Sequence, residues 1–134
     1  PKGGVRANYL ASGIDVLPTM CDYATIPCPE VTGVSLRPFV EHADLKSRPC
    51  LVSEFHPDPS DLDFQGRMVR SERYKYVAFS HGRNPEQLFD LELDPGETTN
   101  LSATASSLPV IDQHRRLLAE WLEAHADPFV PVQP

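Results

Sequence analysis

Residues Gly66 to Leu101 read GRMVRSERYKYVAFSHGRNPEQLFDLELDPGETTNL, and the fold is decided there. The stretch breaks into three short strands and two turns, closed by an acidic turn. Arg67–Arg70 carries Met68 and Val69 as the first strand. The polar link Ser71–Arg73 reverses the chain into Tyr74–Phe79, where tyrosines, Val77 and Phe79 favour a pleated, half-buried surface. Ser80–Glu86 holds Gly82, Asn84 and Pro85, residues suited to a positive φ or a preset turn. Gln87–Leu91 is the third strand, and Asp94-Pro95-Gly96-Glu97 is a strong turn signal.

Working outward, Cys50–Phe55 supplies a further strand upstream, which makes four in an antiparallel meander whose order follows the sequence. The connection His56–Gln65 (HPDPSDLDFQ) is a ten-residue polar loop, and loops of that length on a compact sheet often carry function. Downstream, Ser106, Ser107 and Pro109 start a helix. Val110, Ile111, His114, Leu117, Leu118, Trp121 and Leu122 recur at helical spacing on one face of it. This face should cover one side of the sheet, with Trp121 its largest contributor if buried. Asp127-Pro128 stops the helix and Phe129–Pro134 reads as a tail.

Toward the start, Pro1–Asn8 reads as a linker or cut end. From Ser12 a helix is predicted, because Ile14, Leu17, Cys21 and Ala24 fall at helical spacing with Ser12 or Asp15 as cap. Pro18 fits if the first turn begins near Asp15 or Val16, where a missing N–H costs nothing. Ile26-Pro27-Cys28-Pro29 ends that helix and forces an extended path. Leu36–Glu41 makes a short helical turn, and His42–Arg48 is polar and mobile in character.

The 134 residues suffice for one modest core, burying roughly two-thirds of the unfolded chain's surface. A net charge of −7 argues against nucleic acid or an anionic membrane as partner, since both demand a basic patch. No apolar run approaches a membrane span. Cys21, Cys28 and Cys50 form no metal-binding spacing. Buried thiols and a Cys21–Cys28 bridge both remain open readings.

Arg67-Met68-Val69-Arg70, Arg73-Tyr74-Lys75-Tyr76, Glu86-Gln87-Leu88-Phe89-Asp90-Leu91, Asp94-Pro95-Gly96-Glu97 and Asn100-Leu101 together resemble the C-terminal part of sulfatases. Upstream, Ser12-Gly13-Ile14-Asp15-Val16-Leu17-Pro18-Thr19 is similar to that family's S-x-x-D-hydrophobic-x-P-T helix, and Gly33-Val34-Ser35-Leu36-Arg37-Pro38 to its G-x-S-L-x-P. The order of these motifs over nearly the whole chain makes the resemblance specific.

The resemblance implies an α+β subdomain: a small antiparallel sheet of about four strands packed on a long C-terminal helix. An N-terminal helix would be left over from a missing α/β domain. Residues 1–35 would be the end of that main domain and 36–134 the C-terminal subdomain. The parent would hydrolyse sulfate esters, on a small molecule or a glycan, using formylglycine and calcium or another divalent cation. The formylglycine motif, Cys/Ser-x-Pro/Ala-x-Arg, is met at none of Cys21, Cys28 or Cys50. Nucleophile and metal ligands are therefore expected in the N-terminal catalytic domain, the segment's main partner, and no catalytic residue is assigned here. Homo-oligomerisation stays open, and a periplasmic, secreted or lysosomal address fits the family.

Glu54, His56 and Arg67 match the family's region that leans over the substrate pocket, and a guanidinium suits a sulfate or carboxylate. Against this, Arg67 and Arg70 also suit the exposed side of a strand. Asp58, Asp61 and Asp63, with Glu54 and His56, lack EF-hand spacing and read as a solvated loop rather than a metal site. Tyr74-Lys75-Tyr76 reads as a two-faced strand, His114 as a satisfied core histidine and His81 as a turn residue. Two rival readings are a phosphate-ester hydrolase of the same superfamily and a standalone binding or assembly module.

Overall fold

The computed structural model describes residues 9–42 and 45–132. The expectations for Pro1–Asn8, for Ala43 and Asp44, and for the last two residues of the tail lie outside them. The chain forms two compact units, Pro1–Pro49 and Cys50–Pro134.

In the first unit a 3-10 turn at Gly13–Asp15 leads into α1 (Val16–Ala24), and α2 (Arg37–Glu41) follows. The entry is capped reciprocally. Ser12 N–H donates to Asp15 Oδ2 at 2.8 Å, and Asp15 N–H donates to the Ser12 carbonyl at 3.0 Å. Pro18 falls in the first turn of α1, where its absent N–H leaves no gap in the ladder. Thr25 ends α1 in the left-handed region at φ 57°.

Asp15 is the hub of this unit, with no exposed surface. Besides Ser12, it accepts from Val34 N–H at 3.0 Å and from Arg48 Nη2 at 2.7 Å. Thr19 Oγ1 accepts from Leu36 N–H at 2.8 Å, and Ser35 Oγ donates to Asp22. These bonds explain why α2, assigned from sequence to the second domain, sits in the first unit: its leading residues are tied to α1. Gly33 passes so close to Ile14 that a Cβ would stand 2.0 Å from the Ile14 carbonyl oxygen, so only glycine fits. The apolar stripe of α1 is divided. Cys21 is buried, while Ile14, Leu17 and Met20 are exposed.

In the second unit, β1 (Leu51–Phe55), β2 (Gly66–Arg70), β3 (Tyr74–Phe79) and β4 (Glu86–Asp90) form one antiparallel sheet in the order β1-β2-β3-β4. The meander read from sequence is the observed topology, with ends shifted by a residue at β1, β2 and β4. The register aligns Val52, Val69, Tyr76 and Leu88 across the four strands on one face. Beneath them lies α3 (Leu108–His125), an 18-residue helix with proline in its first turn. Val69, Tyr76, Ala78, Leu88, Ile111, Leu118 and Phe129 make the core.

Two features of the second unit differ from the sequence reading. Trp121 is outside the core cluster and stacks on His125, with ring centroids 4.3 Å apart. Phe129, read as tail, is buried in the core, and Val132 N–H donates to the Phe79 carbonyl. The segment after α3 thus packs back on the sheet. His114 is buried and satisfied: Nδ1 contacts the Val110 carbonyl at 2.7 Å and Nε2 the Ser71 hydroxyl at 2.9 Å. The opposite sheet face, built from Ser53, Phe55, Met68, Lys75, Val77, Phe79, Gln87 and Phe89, lines a shallow groove of about 360 Å³.

Candidate functional site

Period-two alternation places Arg67 on the same sheet face as Val69, turned inward. It is 5% exposed. At the end of α3, Ala126 takes φ 50° and turns Asp127 toward it. Arg67 Nε and Nη2 donate to the two Asp127 carboxylate oxygens, each at 2.9 Å, in a forked pair. Arg67 Nη1 donates to the Gly66 carbonyl, and the guanidinium lies 4.7 Å from the Phe129 ring centroid. Phe129 N–H donates to Asp127 Oδ1 at 2.8 Å, which closes the turn. The Arg67 hydrogen bonds are the main reason the Asp127 carboxyl is held below its usual range; burial works against them.

Glu54 stands opposite Arg67 in the β1–β2 register, its Oε2 3.7 Å from Arg67 Nη2 and its side chain mostly exposed. Glu54, Arg67, Trp121, His125, Ala126, Asp127 and Pro128 line an open cleft of about 470 Å³. The structure therefore brings Glu54 and Arg67 together. His56 lies one residue beyond the end of β1, exposed and outside the lining of that cleft. The Arg67 fork is filled by Asp127, a partner that sequence reasoning noticed only as a helix stop. Of the polar side chains that line the cleft, Glu54 and His125 are exposed, while His56 is exposed outside it.

The acidic loop is occupied locally. Asp58 accepts from Ser60 N–H and Oγ, Asp61 accepts from Phe64 N–H, and His81 Nε2 lies 3.2 Å from Asp61. Phe64 packs against Phe79 and His81. Ser80 ties the loop to the end of β3 through Asp63 and Gln65. Among the described residues no group of three or more His, Cys, Asp or Glu is placed to hold a metal ion.

A second cavity, about 310 Å³, is lined by Tyr76, Glu86, Arg115, Leu118, Ala119, Leu122, Pro131 and Val132. Its polar groups satisfy one another: Tyr76 Oη donates to Glu86 Oε1, and Arg115 Nε and Nη2 donate to the two Glu86 oxygens. Burial first, then Glu86, pushes the Tyr76 hydroxyl far above its ordinary value and keeps it neutral.

The remaining motif residues make structural bonds. Arg73 forks onto Asp90, Lys75 Nζ pairs with Glu97, and Asn100 Oδ1 accepts from Leu88 N–H and Ser102 N–H. Glu97 holds φ 54°, so the left-handed residue of the acidic turn is the glutamate and not Gly96.

The family model described as N-sulphoglucosamine sulphohydrolase, C-terminal, matches residues 2–124. The Delta 4,5-hexuronate-2-O-sulfatase of Bacteroides thetaiotaomicron is 39% identical over 118 residues, covering 87% of this chain and 24% of the relative. A solved 2-O GAG sulfatase superposes with a TM-score of 0.73 at 39% identity, over 84% of this chain and 25% of that one. The phosphonate monoester hydrolase of Agrobacterium radiobacter superposes with a TM-score of 0.65 at 28% identity, over 83% of this chain and 24% of that one. The chain spans about a quarter of the length of the curated relatives it matches.

Proposed function

This chain belongs to the N-sulphoglucosamine sulphohydrolase C-terminal family, and on that footing we propose that it buttresses the catalytic domain of a sulfate-ester hydrolase and forms part of its substrate-pocket rim. The observation that carries the buttress role is the uncovered apolar surface. Ile14, Leu17 and Met20 are 49%, 47% and 64% exposed, the first in the 3-10 turn and the other two in the short helix that continues it. Uncovered apolar patches of this kind mark contact surfaces, and the natural occupant is the catalytic domain encoded with it. The groove over Phe55, Met68, Phe79 and Phe89 is a second surface of the same character.

Glu54 and His56 are the residues proposed to face substrate at the rim, and Arg67 holds the corner beneath them. A sulfated glycan is the substrate class that fits the relatives' names, 2-O-sulfatases of hexuronate and of GAG. Formylglycine and calcium, which the family resemblance implies, would belong to the catalytic domain, and no residue of this chain is assigned to either. Without nucleophile or metal, a rim supplies none of the barrier reduction. The test compares the full-length protein with residues 1–134 on an aryl sulfate, a sulfated glycan and an aryl phosphonate in calcium. Turnover of a sulfate ester by the full-length protein and none by the segment is expected. Turnover by the segment above a mock preparation overturns the buttress role, and preference for the phosphonate overturns the sulfate assignment.

A further inference from the structure

Trp121 and His125 stand one turn apart on α3, their rings stacked within 19° at a centroid distance of 4.3 Å. His125 Nδ1 lies 2.8 Å from the Trp121 carbonyl. A carbonyl only accepts, so Nδ1 carries the proton of that bond. Stacking and hydrogen bond together hold an imidazole that is nonetheless exposed, and its Nε2 makes no hydrogen bond among the described residues. In the same cleft the Glu54 carboxylate also makes none; its ionic neighbour is Arg67 at 3.7 Å. Arg67 and Asp127 close the base of the cleft, each 6% exposed and bonded to the other.

What this cleft offers a ligand is a flat aromatic wall and hydrogen-bond acceptors. The Glu54 oxygens only accept, and His125 Nε2 accepts while the ring is neutral. Two carboxylates, Glu54 and Asp127, face one guanidinium, so no excess of positive charge is present to hold a sulfate. A sulfate, which has acceptors alone, would find no free donor to meet. Arg67 in turn compensates part of the Glu54 charge, so accepting hydrogen bonds, more than attracting cations, is what the carboxylate does best here. An uncharged sugar ring fits both halves of the cleft. Its C–H face lies on an aromatic wall, and its hydroxyls donate to a carboxylate. The volume, about 470 Å³, falls in the range of small-molecule sites, about 300–1,000 Å³. We infer that the cleft binds an uncharged, hydroxyl-bearing sugar ring, with Trp121 and His125 as its wall and Glu54 as the acceptor of its hydroxyl protons.

This inference rests on the glycan reading above and narrows it: the corner takes an unsulfated unit, and the sulfated one is left to the catalytic domain. The test is calorimetric titration of the full-length protein with three probes. Cellotriose is uncharged, the glucosamine trisaccharide is its cationic counterpart, and inorganic sulfate is the anion. Cellotriose should bind, and Glu54→Gln, His125→Ala and Trp121→Ala should each weaken it by about fivefold or more. Sulfate should be held no more weakly by the variants than by the unsubstituted protein. Glu54 and His125 are exposed, so their variants should keep the melting temperature and carry the test if Trp121→Ala fails to fold. Absence of cellotriose binding overturns the inference, as does binding equal in the unsubstituted protein and the folded variants. Binding of the cationic probe alone, or loss of sulfate affinity in the variants, overturns it too. No probe is a sulfate ester, so failure of the sulfate assignment shows in the turnover assay above, and failure of this cleft shows here.

Discussion

Arg67 and Asp127, sixty residues apart in the chain, meet through two parallel hydrogen bonds of 2.9 Å, and each side chain is only 6% exposed. The pair fastens the turn after α3 to β2. Removing one partner leaves a buried charge uncompensated, whereas removing both leaves none. Asp127→Asn should therefore cost on the order of 3 kcal/mol, and the double change Arg67→Met, Asp127→Leu should recover most of that loss. Urea unfolding midpoints of the three proteins check it; a double variant weaker than the single one refutes it.

Glu54 in the cleft and His56 just beyond the end of β1 both have exposed side chains, so changing them should leave the fold alone. In the full-length protein, Glu54→Gln and His56→Gln should raise KM for a sulfated glycan several-fold with kcat and melting temperature little changed. Arg67→Lys breaks the forked geometry and should lower melting temperature together with any change in KM. Unchanged KM in both exposed variants would remove them from the rim.

Stability should fall with acid in two stages. His114 is held below its ordinary value of 6.5, chiefly by burial. The unfolded chain therefore takes up a proton near 6.5 that the folded chain refuses, and stability is lost as pH falls through that value. The carboxyls of Asp127, Asp90 and Glu86 are lowered first by hydrogen bonds from Arg67, Arg73 and Arg115. For Asp15 the largest influence is burial, which raises it, but Val34 N–H, Arg48 and Ser12 N–H together outweigh it. These four give stability that is present above their ordinary values, 3.8 for aspartate and 4.5 for glutamate, and lost below them. Urea midpoints across the pH range should show both stages. His114→Gln should abolish the upper one.

Gly66 sits where a Cβ would fall 2.4 Å from the Phe55 ring, and that ring packs edge-on to Phe79 at 5.9 Å. Gly66→Ala should overpack the β1–β2 corner at a cost of about 2 kcal/mol. Adding Phe55→Leu should give back part of it, which a thermal denaturation series would show.

How much of this was legible in advance depends on where each signal lay. Tyr74–Phe79 declared itself, because alternation puts Tyr76 and Ala78 in the core and Lys75 opposite, on Glu97. The meander order followed from short links rich in turn residues. Arg67 was harder. A charged residue in a strand reads as surface, yet its spacing from Val69 already assigned it to the inner face, and the partner that makes this tolerable comes from a turn far along the chain. Phe129 gave no periodic signal, since one aromatic ring after a helix stop has no pattern to belong to. Trp121 had the spacing of a core residue but lies at the stripe's margin, against His125. The division of the units at Pro49–Cys50 escaped notice because the ties of α2 to α1 run through side chains of Asp22 and Thr19, which no local pattern announces.

In the sheet each strand hydrogen-bonds only to its neighbours in the chain. Pairings so close in sequence cost little loop entropy to form, so the sheet can zip in the order in which it is synthesised, without waiting for remote segments. The clasp between Arg67 and the turn after α3, like the tie of Val132 to Phe79, spans far more of the chain than any strand pairing and so carries the larger closure entropy.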